Sequence, residues 1–130
     1  FYHTQNSEYY YFSGEMTSYY GATTTDMLES AAVRVEEAEN EGEFYIWYLD
    51  ASYSKKYICA VESGSHKNFT IDQTQQANAT VWTYDEDYQT FFATLSGTRY
   101  FMGNYGSYTS FNLCDEKYIE QGNYIAHLYW

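Results

Sequence analysis

Three aromatic residues of this 130-residue chain stand close to a side chain that can exchange hydrogen bonds. An aromatic ring can stack on the apolar face of a sugar or on another protein, while a neighbouring carboxylate or amide binds hydroxyl or amide groups. The spacing therefore predicts surfaces for non-covalent contact. The pairs are Trp47 with Asp50, Trp82 with Asp85, and Tyr105 with Asn104.

Catalytic and metal-binding patterns are missing from the sequence. No Ser-His-acid order carries a nucleophile elbow, and no glycine-rich phosphate loop precedes a helix. The three histidines (His3, His66 and His127) lack zinc spacing, and the acidic runs 36–43 and 85–87 lack the spacing of a calcium loop. We therefore expect a non-enzymatic protein without a metal or cofactor.

Two asparagines and two cysteines are candidates for covalent modification. Asn68 and Asn78 each begin an acceptor triplet for N-glycosylation. Cys59 and Cys114 are the only cysteines. In an exported domain such a pair invites a disulfide, but free thiols and an intermolecular bond are also open, because spacing does not place the two Cα atoms within bridging range.

Composition excludes some partners and points to export. Acidic residues outnumber Lys plus Arg by 18 to 6, which gives a net charge of -12 and argues against nucleic acid as a partner. No apolar run is long enough to span a bilayer, so membrane insertion is not expected. The chain begins with Phe1 rather than methionine, and we expect a mature or trimmed product that is secreted or at the cell surface.

The elements that would position these residues are short strands within one domain, residues 1–130. Segments of five to eight β-favouring residues recur along the chain. Only residues 25–41 have partial helical spacing, and there the alternation at Val33 and Val35 fits a strand equally well. The sequence thus predicts the all-β class.

An internal repeat organises these segments. The phrases around Tyr11, Tyr57 and Tyr100 share the order Tyr, large apolar, variable, small, and their tyrosines are 46 and 43 positions apart. Each phrase opens a unit of four strands, which predicts a β-trefoil with repeats at approximately 9–53, 54–96 and 97–130. An antiparallel β-sandwich is the alternative. Two sets are expected to face the barrel interior: Phe12, Ile58 and Phe101, and the small residues Gly14, Ala60 and Gly103.

The repeat resembles the β-trefoil superfamily over nearly the full length. The phrases at residues 10–14, 55–58 and 97–109 are also similar to tyrosine-rich modules of secreted and cell-surface microbial proteins. Trefoils include lectins, inhibitors, cytokine-like ligands and actin-bundling modules, so the resemblance implies architecture more than activity. The Gln-x-Trp signature of ricin-type lectins is absent.

The chain has more large apolar and aromatic residues than the interior of twelve short strands can hold, so many rings should lie outside. We expect a structural or adhesive subunit that binds copies of itself or extracellular matrix partners through tyrosine-rich surfaces. A lectin-like, carbohydrate-binding trefoil is the alternative. The rings expected outside are Tyr9, Tyr19, Tyr20, Tyr48, Tyr53, Tyr105, Tyr108, Trp47 and Trp130.

Overall fold

Strands make up most of the described chain. The structure is a computed structural model of the chain, and it describes residues 1–5, 8–17, 20–63, 66–103 and 111–117. The strands are β1 (Tyr2–Gln5), β2 (Glu8–Thr17), β3 (Tyr20–Thr24), β4 (Arg34–Glu37), β5 (Glu43–Leu49), β6 (Lys55–Ser63), β7 (His66–Gln73), β8 (Trp82–Asp85), β9 (Thr90–Leu95), β10 (Thr98–Gly103) and β11 (Asn112–Asp115). Short 3₁₀ helices, η1 (Glu29–Ala31) and η2 (Gln76–Asn78), precede β4 and β8. The predicted all-β class is confirmed.

Period-two alternation explains why these segments are strands. In β5, Ile46 and Tyr48 are buried while the Trp47 between them is only half-buried. The ambiguous segment 25–41 contains only the single turn η1 and then β4, because Val33 and Val35 pack on the core in alternation rather than at helical spacing.

The strands form two antiparallel sheets. A three-stranded sheet has the order β1-β2-β3. The larger sheet has the order β11-β10-β9-β8-β5-β6-β7, with β4 paired to β5. The two sheets meet where Gly21 and Phe111 exchange backbone hydrogen bonds of 2.9 and 2.8 Å.

A tight hairpin sets the register between β9 and β10. Leu95 pairs with Thr98, which leaves only Ser96 and Gly97 in the turn. Both have positive φ, 50° and 80°, as a type I′ turn requires, and glycine adopts this conformation without steric cost. The turn brings Phe92 and Phe101 into register, and their rings lie 5.3 Å apart.

Two of the three large residues predicted to face one interior do so. Phe12 and Ile58 are buried in the main core, whereas Phe101 is buried in a separate small cluster with Cys114, because the phase of β10 turns its neighbour Met102 toward the main core instead. Of the small residues, Ala60 and Gly103 are buried and Gly14 is half-buried. The main core is otherwise built from Ala31, Ile46, Tyr48, Ile71, Trp82, Phe91, Ala93, Met102, Phe111 and Leu113.

The order of elements recurs along the chain. The hairpin β2–β3 is followed by η1 and the hairpin β4–β5, and the hairpin β6–β7 is followed by η2 and the hairpin β8–β9. A third hairpin, β10–β11, begins the same order again. The strands predicted at 117–120 and 124–129 lie outside the described residues, apart from Lys117.

Candidate functional site

Trp47 is the centre of a charged cluster on the outer face of β5. Its indole Nε1–H donates to the Glu36 carboxylate at 3.0 Å. The Lys55 ammonium lies 4.2 Å from the ring centroid, and the Arg34 guanidinium lies 6.0 Å from it. Hydrogen bonding to Tyr57, and secondarily to Glu36, raises the pKa of Lys55. The ring thus already binds a cation, and a stacking ligand would compete with Lys55.

Asp50, the predicted partner of Trp47, holds a turn together. Its Oδ1 accepts hydrogen bonds from the backbone N–H groups of Ser52 and Ser54, both at 2.9 Å. Tyr53 stands at the top of this turn with positive φ and is 85% exposed. The exposed ring in this region is therefore Tyr53, next to the predicted position.

Two aromatic side chains that were expected at the surface, Trp82 and Tyr48, lie in the interior instead. Trp82 is fully buried, and its Nε1–H donates to the Ile58 carbonyl at 2.8 Å. Tyr48, expected outside, is buried as well, and its hydroxyl donates to the Gly14 carbonyl at 2.9 Å. In both cases the polar tip finds a backbone acceptor inside the protein, which makes burial of the ring favourable.

Asp85 lies in a structural network. Its Oδ1 accepts the backbone N–H of Tyr88 at 2.9 Å, and its Oδ2 lies 3.5 Å from the Arg99 guanidinium. Arg99 also pairs with Glu116, and its guanidinium lies 5.3 Å from the Phe101 ring centroid. The structure therefore separates Asp85 on this network from its predicted partner, the buried Trp82.

The remaining predicted positions are described only in part. Asn104 and Tyr105 lie outside the described residues, as do Tyr19, Tyr108 and Trp130. Asn78 is exposed at the end of η2, where an attached glycan would meet solvent. Asn68 lies in β7 opposite Val61.

The two cysteines are buried thiols. Cys59, in β6, accepts the backbone N–H of Thr80 at 3.5 Å. Cys114, in β11, lies opposite Phe101 and packs with it in a second, smaller core cluster. The structure has no disulfide bond between Cys59 and Cys114. Burial raises the pKa of Cys59 and raises that of Cys114 to about 12.

These thiols should react slowly in the native protein. A thiol pKa of about 12 instead of 9 lowers the thiolate fraction about a thousandfold near neutral pH, and the thiolate is the reactive form. We expect Ellman's reagent to modify both cysteines rapidly in concentrated guanidinium chloride and at least about a hundredfold more slowly in buffer. Rapid labelling of the folded protein, or no thiol after denaturation without reductant, would contradict the buried reduced state.

The three-stranded sheet carries a group of tyrosines that was not among the three aromatic–polar pairs predicted from the sequence. Tyr2 of β1 lies opposite Tyr11 of β2, with ring centroids 6.5 Å apart. Tyr9 stacks on Tyr11 at 6.3 Å and approaches Tyr2 at 5.8 Å. We call these three residues the tyrosine ladder. Its most accessible member, Tyr9, is 55% exposed. The signal for it was the alternation of Tyr9 and Tyr11.

An apolar cavity of about 640 Å³ lies between β2, η1 and β4, and no pattern in the sequence predicted it. Phe12, Val35 and Phe44 form part of its wall, and Met27 and Leu28 stand exposed at its edge. Its charged border residues are Glu29, Arg34 and Glu37. A volume of this size is in the range of small-molecule sites.

A second cavity of about 620 Å³ lies on the other side of η1. It is bordered by Ser13, Glu15, Asp50 and Tyr53, and it shares Glu29 with the first. An exposed ring beside carboxylates and a hydroxyl is the kind of surface that the sequence predicted for sugar contact.

Comparisons with known proteins provide no family for the chain: no protein-family model, curated protein or solved structure matches it. Within the described ranges, no helix has the length and apolar character needed to cross a bilayer. The same ranges contain no group of three or more His, Cys, Asp or Glu side chains arranged to hold a metal ion.

Proposed function

We propose that the recurring hairpins belong to a β-trefoil. The support is the order hairpin, 3₁₀ turn, hairpin, which occurs twice, and the start of a third unit at β10–β11. One large residue from each unit, at Phe12, Ile58 and Met102, packs in the same main core, which also supports a common interior. An experimental structure tests the proposal, which requires a pseudo-threefold axis that relates the three units.

We propose further that the protein is a non-catalytic, extracellular structural or adhesive module that assembles through its tyrosine-rich face. The observation that carries this proposal is the tyrosine ladder, where three rings from adjacent strands form one partly exposed surface. Tyrosines of this kind provide contact area at a low cost in side-chain entropy, which is why they are enriched at interfaces.

A second copy of the chain is a suitable partner, because identical tyrosine-rich faces can pack against one another across a twofold axis. The net charge of -12 opposes self-association, so assembly should strengthen as salt screens the repulsion.

Light scattering and electron microscopy of the purified protein test self-association. We expect concentration-dependent particles that grow as the salt concentration rises from about 0.05 M to 0.5 M, because the Debye length then falls to about 4 Å. The double variant Tyr2→Ser/Tyr9→Ser should weaken self-association at least about tenfold, since exposed tyrosine pairs contribute about 1 kcal/mol each.

Tyr53→Ser is the matched control, because it removes a tyrosine that is more exposed than Tyr9 but lies outside the ladder. It should leave the particle size unchanged. A monodisperse monomer at all concentrations and salt conditions would contradict the assembly proposal.

The second candidate function is carbohydrate binding at the cavity beside Tyr53. The observation that favours it is the 85% exposed Tyr53 ring next to the Asp50 and Glu15 side chains. If the protein is a monomer, a glycan array with wild type and Tyr53→Ser distinguishes this candidate: binding that depends on Tyr53 supports it, and an array without binding rejects it.

A further inference from the structure

The apolar cavity beside η1 has a filled counterpart in the next unit of the chain. Glu37 pairs with Phe44 across the β4–β5 hairpin, and Tyr84 pairs with Phe91 across the β8–β9 hairpin. Glu37 and Tyr84 therefore occupy equivalent positions. Side chains two positions earlier in each strand lie on the same face, so Val35 is the counterpart of Trp82.

The presence of Val35 at the position equivalent to Trp82 accounts for the cavity. Trp82 is fully buried and fills its unit with an indole ring, whereas Val35 is half-buried and borders the cavity of about 640 Å³. Valine is much smaller than tryptophan, and a well-packed interior does not close over a missing ring. The remaining wall includes the rings of Phe12 and Phe44. A ligand with a planar aromatic ring would therefore fill the space that Trp82 fills in the second unit.

The charged residues at the border of the cavity determine which ligand charge it favours. Glu37 replaces Tyr84 beside the aromatic wall and lies on the Val35 face of β4, and Glu29 also borders the cavity. Arg34 borders it too, but it alternates with Val35 and its guanidinium lies over Trp47. In a chain that starts at Phe1, burial lowers the pKa of the α-amino group to about 6, which leaves it mostly neutral at pH 7.4. The border and the net charge of -12 both favour a cation.

We infer that this cavity binds a small planar aromatic molecule that carries a positive charge. The ring would occupy the place that Trp82 occupies in the second unit, and the charged group would lie beside Glu37. The cavity borders the tyrosine ladder at Tyr11, but binding there does not require self-association.

Isothermal titration calorimetry at pH 7.4 tests the inference with three probes that share one ring: tryptamine, indole and indole-3-acetate. We expect tryptamine to bind about tenfold more tightly than indole-3-acetate, with indole between them, because the border attracts the ammonium and repels the carboxylate. Equal affinities, or no measurable binding of any probe, would overturn the inference.

Three variants locate the binding. Val35→Trp should fill the cavity and abolish binding of all three probes, while Val81→Trp, which adds the same ring at an exposed position before β8, should not change it. Glu37→Gln changes only the charge at an exposed position, and it should weaken tryptamine binding about threefold and leave indole binding unchanged. Unchanged tryptamine binding in Glu37→Gln, or in folded Val35→Trp, would place the probe elsewhere and overturn the inference.

Discussion

Replacing Trp82 with alanine is expected to lower the free energy of unfolding by about 3–5 kcal/mol, which is a large fraction of the stability of a domain of this size. The side chain is fully buried in the main core, where its removal leaves a cavity. It also leaves the Ile58 carbonyl without the 2.8 Å hydrogen bond from Nε1. Urea denaturation followed by circular dichroism measures the change without depending on tryptophan fluorescence.

Trp47→Ala is the matched control, because it removes the same side chain from a half-buried position. It should cost only about 1 kcal/mol, from the loss of the Lys55 contact and the Glu36 hydrogen bond. Trp82→Phe separates ring from hydrogen bond and should cost about 1–2 kcal/mol. Similar losses for Trp82→Ala and Trp47→Ala would show that Trp82 is not a core residue.

The contrast between these two tryptophans shows how far the sequence can predict the fold. Each precedes an aspartate by three positions, and by that spacing they looked equivalent. The phase of each strand distinguishes them. Trp47 alternates with the buried Ile46 and Tyr48 and must face outward, whereas Trp82 opens β8 on the inner face. Alternation predicted Phe12 and Ile58 correctly, but it gave the wrong phase for β10, where Met102 rather than Phe101 packs in the main core.

The candidate site was less predictable because it depends on contacts between distant segments. The turn formed by Asp50 is a local pattern, since an aspartate that bonds the backbone two residues onward is common in turns. The cavity beside η1 is different. It arises because the β4–β5 hairpin has Val35 at the position where the equivalent β8–β9 hairpin has Trp82. This equivalence becomes visible only when the pairings of Glu37 and Tyr84 are known.

The second core cluster leads to the other large expected effect. Phe101 is fully buried against Cys114, with Tyr88 and Phe92 packed around the pair. The Arg99 guanidinium lies 4.9 Å from the Phe92 ring and 5.3 Å from the Phe101 ring. Arg99 and these rings therefore separate Cys114 from solvent on the outer side of β10.

Phe101→Ala should lower the free energy of unfolding by about 3–5 kcal/mol and also open a path to Cys114. Because the high pKa of this thiol is caused by burial, water entering the cavity should lower the pKa and speed the reaction with Ellman's reagent at least about tenfold below the unfolding transition.

A Cys59→Ala background leaves Cys114 as the only thiol. Ala93→Gly, which perturbs the buried part of β9 in the main cluster, is the control and should leave the labelling of Cys114 slow. Faster labelling in both variants would indicate general loosening, and slow labelling in both would show that Phe101 does not shield the thiol.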